Sequence, residues 1–184
     1  MAWQAKNFEE KMHPCINQIY ESLFSKLLRI ERSNRETTTN SKILFMDKEL
    51  AIDTFLYFKD GTILTLQEKS RTSEYLKIYE DFTFEYYNDP KTKEEGEWFK
   101  LAAQLYFYGF ANESETGYVK FYLLNVPKLR LFLKNDIGIK TLEEIYLHHN
   151  RPPAKANFFA IPFKIIPDYC FMYKSYDHKL TNTS

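Results

Sequence analysis

Ile52-Asp53-Thr54-Phe55-Leu56-Tyr57-Phe58-Lys59-Asp60-Gly61-Thr62-Ile63-Leu64-Thr65-Leu66-Gln67-Glu68-Lys69 is the stretch on which the fold turns. Two runs rich in aromatic and β-branched residues flank Lys59-Asp60-Gly61, a hairpin signal, so strands are predicted over residues 50–58 and 62–70. The loop length decides which side chains meet. A three-residue loop with Gly61 in the left-handed region pairs Phe58 with Thr62, Asp53 with Gln67 and Ala51 with Lys69. Asp53, Gln67 and Lys69 then project from one face, and Leu64, Leu66 and Glu68 from the other. A two-residue loop, Asp60-Gly61, sets Glu68 opposite Asp53 instead. Both registers fit the letters, and they differ in whether an amide or a carboxylate faces Asp53.

Upstream, Phe8, Met12, Cys15, Ile16, Ile19, Tyr20, Leu23, Phe24, Leu27 and Leu28 recur at spacings of three and four, predicting an amphipathic helix over residues 5–30, interrupted near Pro14. Residues 31–41 lack an apolar member and read as a loop, and residues 42–46 as the first of three strands in a meander. Downstream, strands are expected at 82–87, 105–110 and 118–124, and a late strand or extended segment at 158–166. Helices are expected at 94–103, 127–134 and 142–149, with a break at Pro152-Pro153. This order predicts a single α/β (α+β) domain over residues 1–184, with a mixed central sheet and flanking helices.

Composition narrows the class. The 184 residues are 44% hydrophobic and 27% charged, with 14 Tyr and 16 Phe against 5 Gly, which excludes a disordered or collagenous chain and favours strands. Apolar runs such as Phe158 to Phe163 fall well short of a membrane span, and the amino terminus has no signal-peptide pattern; the expectation is a cytoplasmic protein with no membrane partner. Cys15 and Cys170 form neither a CxxC site nor a disulfide framework, and are expected as buried thiols. Charge balances at 25 basic and 25 acidic residues, but residues 41–100 hold 9 basic and 13 acidic groups, and residues 101–184 hold 10 and 7. An acidic middle beside a basic carboxy-terminal part suits a metal site next to a phosphate-binding surface.

A helix feeding a three-stranded meander, an Asp on the second strand and Gln67-Glu68-Lys69 on the third resembles the PD-(D/E)XK nuclease superfamily, the restriction-endonuclease-like fold with its αβββαβ core. Glu85-Tyr86-Tyr87-Asn88-Asp89, Gly96-Glu97-Trp98-Phe99-Lys100, Gln104-Leu105-Tyr106-Phe107-Tyr108 and Val126-Pro127-Lys128-Leu129-Arg130-Leu131-Phe132-Leu133 are similar to small phage and mobile-element proteins of that fold. The likeness covers residues 5–135, leaving 136–184 as carboxy-terminal additions. It implies metal-dependent hydrolysis of DNA phosphodiester bonds by an endonuclease-like enzyme, with DNA as partner, Mg²⁺ or Mn²⁺ as cofactor and a homodimer among the expected assemblies. Asp53 would ligate the cation, with Gln67, or Glu68 in the other register, as the second ligand. Lys69 would orient the attacking water and steady the phosphate charge, and Glu21, with Gln18 one turn earlier, would complete the site from the first helix. Ile52 stands where the family has Pro, and Gln67 where it has an acid.

Other readings compete for the same residues. Asp53 and Lys69 on adjacent strands also fit a surface ion pair, and the chain then fits a catalytically inactive nuclease-fold module that binds DNA or a protein. Lys128, Arg130 and Lys134 near a helix start fit phosphate contacts or a solvated face. His148-His149-Asn150 lacks the remaining elements of a His-Asn-His nuclease. No P-loop, dinucleotide-binding glycine pattern or zinc quartet is present.

Overall fold

The structure, a computed structural model, describes residues 2–33, 39–150 and 155–175, with side chains from residue 8 onward. Part of the expected loop over 31–41 and the Pro152-Pro153 break lie outside the described residues. Helix α1 (Ala2–Leu23) packs across one face of a six-stranded sheet, turning Met12, Ile16 and Tyr20 inward at four-residue intervals. Pro14 sits inside it without ending it.

The six-stranded sheet contains β1 (Leu27–Arg32), β2 (Thr54–Phe58), β3 (Ile63–Arg71), β6 (Leu105–Ala111), β7 (Tyr118–Asn125) and β10 (Phe171–Lys174), in the order β1-β2-β3-β6-β7-β10. Only β3 and β6 run parallel; every other neighbouring pair is antiparallel. A second, antiparallel sheet is formed by β4 (Asp81–Asp89), β5 (Glu94–Glu95), β8 (Leu147–His149) and β9 (Asn157–Pro162), in the order β5-β4-β9-β8. The result is the expected mixed α/β architecture with a central mixed sheet. The carboxy-terminal strands belong to it fully, since β9 pairs with β4 and β10 with β7.

Strand β6 shows why the layers stack as they do. All seven of its residues are buried, as a central parallel strand covered on both faces should be. Leu105 and Phe107 meet Ile16, Tyr20, Leu56 and Leu66 under α1. Tyr106, Tyr108 and Phe110 join Phe82, Phe84, Trp98 and Phe159 between the two sheets.

Four expectations are corrected. The first strand is β1 at Leu27–Arg32, within the stretch expected as helix, because pairing with β2 over Leu27–Phe58 to Arg32–Thr54 outweighs the helical spacing. Residues 42–46 are helical, inside α2 (Ser41–Leu50). The Asn40 side chain accepts a hydrogen bond from the Lys42 N–H at the start of α2, and Ile43, Met46 and Leu50 pack inward at helical intervals. The helix expected over 94–103 shrinks to α4 (Glu97–Lys100), and that over 142–149 gives way to a wide turn followed by β8. Two elements went unforeseen: α3 (Ser73–Ile78) and β10. The expected helix at 127–134 is α5 (Val126–Phe132), capped by Asn125 with proline in its first turn. No described helix is long and apolar enough to cross a membrane.

Candidate active-site cleft

The hairpin takes the three-residue loop. Phe58 N–H donates to Thr62 O at 2.9 Å, Gly61 adopts φ 85°, and Asp60 Oδ1 accepts from Thr62 N–H at 3.0 Å. Thr54 pairs with Leu66, so Asp53 lies opposite Gln67, its N–H donating to Leu66 O at 3.0 Å. Before Asp53 the chain leaves the sheet. Ala51 turns left-handed (φ 46°) at the end of α2, and Ile52 N–H closes that helix on Met46 O. Were β2 to continue, Ile52 would face Glu68; instead the Asp53 side chain folds over, and its Oδ2 accepts the Glu68 N–H at 3.2 Å. A cleft of about 910 Å³ opens at this fork.

Asp53, Gln67, Glu68 and Lys69 all line the cleft. Three buried oxygens of its lining residues, Asp53 Oδ1, Thr54 Oγ1 and Gln67 Oε1, have no hydrogen-bond partner among the described residues. Burial holds the Asp53 carboxyl well above the usual carboxylate range, and the nearby negative charges of Glu68 and Asp47 push the same way. Lys69 makes no ion pair with Asp53. Its Nζ lies 3.2 Å from Glu97 Oε2 and donates to Thr83 O at 3.2 Å, with the Lys69 and Glu97 side chains only 13% and 12% exposed. Gly96 allows this placement. Its N–H donates to Tyr86 O at 2.8 Å, and a Cβ there would sit 2.6 Å from Glu85 O, so only glycine lets α4 start hard against β4.

Glu68 takes the opposite face, as alternation requires. Arg32 grips it with two hydrogen bonds, Nε to Oε2 at 2.8 Å and a terminal nitrogen to Oε1 at 3.0 Å; Tyr20 OH adds a third at 3.0 Å. The other terminal nitrogen of Arg32 reaches Asn17 Oδ1 at 2.7 Å. Its carboxylate oxygens are thus already engaged.

The first-helix candidate moves. Glu21 and Gln18 are exposed and do not line the cleft; the acids that α1 does bring to it are Glu9 and Glu10, two to three turns earlier. Burial raises the Glu9 carboxyl, while Lys69 and Arg71 pull it down. Arg130 is structural, donating to Leu101 O at 2.7 Å and lying over the Trp98 ring. Arg32, Asp47 and Glu97 went unnoticed in the sequence as site residues. Arg32 sat in the expected loop, Asp47 between the strands expected at 42–46 and 50–58, and Glu97 carried no spacing that ties it to Lys69.

Among the described residues, no three or more His, Cys, Asp or Glu side chains are grouped to hold a metal ion. A hard divalent cation can bind through one or two carboxylates, amide carbonyl oxygens, water and substrate phosphate, and Asp53 Oδ1 with Gln67 Oε1 fits that donor chemistry. In comparisons with family models, with curated proteins and with solved structures, nothing matches this chain.

Proposed function

We propose that the chain is a divalent-cation-dependent nuclease that hydrolyses DNA phosphodiester bonds in the cleft at the fork of β2 and β3, as its resemblance to the PD-(D/E)XK superfamily implies. The observation that carries this reading is the pair of buried, unpartnered oxygens, Asp53 Oδ1 and Gln67 Oε1, with the Lys69 ammonium two residues along the same strand face. Leaving such acceptors dry and unpaired costs about 1–3 kcal/mol each, a cost a bound cation would offset. Asp53 and Gln67 would hold Mg²⁺ or Mn²⁺, which when bound supplies Lewis-acid polarisation of the phosphodiester.

The remaining work falls to the protein's own groups. The Glu68 N–H holds the Asp53 carboxylate through Oδ2 and leaves Oδ1 as the oxygen without a partner. Lys69 stabilises charge developing on the phosphate oxygens, turning from Glu97 toward the substrate as it enters. Such an enzyme would act on DNA in the cytoplasm. One observation favours a second reading, a catalytically inactive module that binds DNA or protein: the acid expected beside Asp53 is the neutral Gln67, and Lys69 is already paired. Plasmid cleavage with Mg²⁺ or Mn²⁺, run beside Asp53→Ala, separates the two. Metal-dependent nicking by wild type and none by the variant is expected; no cleavage by either leaves the binding module.

A further inference from the structure

The cleft asks for a second negative ligand, because β3 offers an amide where an acid would stand and Glu68 is engaged by Arg32 and Tyr20. Helix α2 carries a carboxylate to the same cleft. Asp47 lies one turn from Ile43 and Leu50, which pack on the core, so the helix is anchored with Asp47 toward the fork, where it lines the cavity together with Asp53 and Gln67. The carboxyl end of α2 also faces that cavity through Ala51, and the partial negative charge of a helix end favours a cation. Resting on the metal-dependent reading above, we propose that Asp47 supplies the second carboxylate of the divalent-cation site, from the helix between β1 and β2, in place of the acid that Gln67 leaves out of β3.

The placement has independent support in the unpartnered oxygens. Asp53 Oδ1 and Gln67 Oε1 are buried on the wall of the cavity that Asp47 also lines, so a cation there meets two neutralising charges and one amide oxygen. Two carboxylates completed by water and phosphate is an ordinary Mg²⁺ set.

The test is calorimetric titration of the full chain with Mn²⁺ alone, for wild type, Asp47→Asn, Asp47→Ser, Asp53→Asn and Glu49→Gln. Glu49 is the neighbouring acid on α2 that does not line the cleft. Both Asp47 variants should bind Mn²⁺ at least about tenfold more weakly, with Glu49→Gln within about twofold of wild type. The serine variant stands in if the asparagine one does not fold, with thermal unfolding as the check. Wild-type affinity in a folded Asp47 variant, with binding lost in Asp53→Asn, overturns the role of Asp47 and leaves the nuclease reading intact. Equal weakening by Glu49→Gln overturns it too, since the effect would then be diffuse charge. Absence of Mn²⁺ binding by wild type overturns both.

Discussion

Gln67 and Glu68 are neighbours on β3, yet they inhabit opposite chemical conditions. Glu68 points under α1, where Arg32 and Tyr20 satisfy it with three hydrogen bonds. Gln67 lines the cleft, where its Oε1 and the Asp53 Oδ1 have no hydrogen-bond partner among the described residues. The Glu68 carboxylate is fully hydrogen-bonded, a closed face, whereas the acceptors at Asp53 and Gln67 are left without a partner among the described residues, an open face where the proposed ligand would act.

The largest effect should come from breaking the closed face. Arg32 and Glu68 have side chains only 15% and 7% exposed, so Arg32→Met strands a buried carboxylate and should cost about 3–5 kcal/mol in denaturant unfolding. Adding Glu68→Leu should recover much of that loss, because replacing both partners removes the unpaired charge. A double variant as unstable as the single would mean that the damage is packing and not electrostatics.

Next is the open face. Lys69→Met keeps the length and apolar stem of the side chain and deletes its charge. The single-turnover cleavage rate should fall by about 100-fold, roughly 3 kcal/mol of transition-state stabilisation, while DNA affinity changes mainly by about one unit of salt slope. Equal fractional losses in rate and affinity would reduce Lys69 to a phosphate contact.

How far the sequence foretold this contrast can be judged residue by residue. The alternation of β3 and the Lys59-Asp60-Gly61 loop are local properties, and they narrow the choice to two registers; the three-residue loop, which sets Asp53 opposite Gln67, is the one the structure takes. The partners Arg32 and Glu97 were illegible. Arg32 meets Glu68 only because residues 27–32 leave the helical pattern to pair with β2, a tertiary choice that overrides local spacing. Glu97 reaches Lys69 only because Gly96 lets α4 press on β4. Asp47 was hidden by period: Ile43, Met46 and Leu50 give a helical stripe, but a five-residue window over 42–46 passes equally for a strand.

A smaller effect distinguishes the faces by pH. Because the Asp53 carboxyl is raised in the folded state, the folded chain binds its proton more tightly than the unfolded chain does. Its contribution therefore favours the fold at acid pH and is lost as pH rises from the ordinary aspartate range through the raised folded value. Asp53→Asn should flatten that slope and, in EDTA at pH 7, stabilise the protein by about 2 kcal/mol. Mn²⁺ should raise the melting temperature of wild type and not that of the variant. A variant less stable than wild type at pH 7 would show that the Asp53 charge supports the fold, and the contrast with Glu68 would collapse.

The smallest effect tests the turn that sets both faces. Gly61 holds φ 85°, and a Cβ built there meets nothing within 4 Å, so Gly61→Ala introduces backbone strain and no collision. The expected cost is about 1 kcal/mol in denaturant unfolding. The register should survive, because it is also held by the ladder from Thr54–Leu66 to Tyr57–Ile63 and by Asp53 N–H on Leu66 O, and because a one-residue slip would break the Glu68 hydrogen bonds to Arg32 and Tyr20 and turn Leu66 away from α1. Mn²⁺ affinity of the folded variant should therefore equal that of wild type. A loss of affinity larger than the loss of stability would show that the hairpin loop, and not the buried pattern of the two faces, keeps Gln67 opposite Asp53.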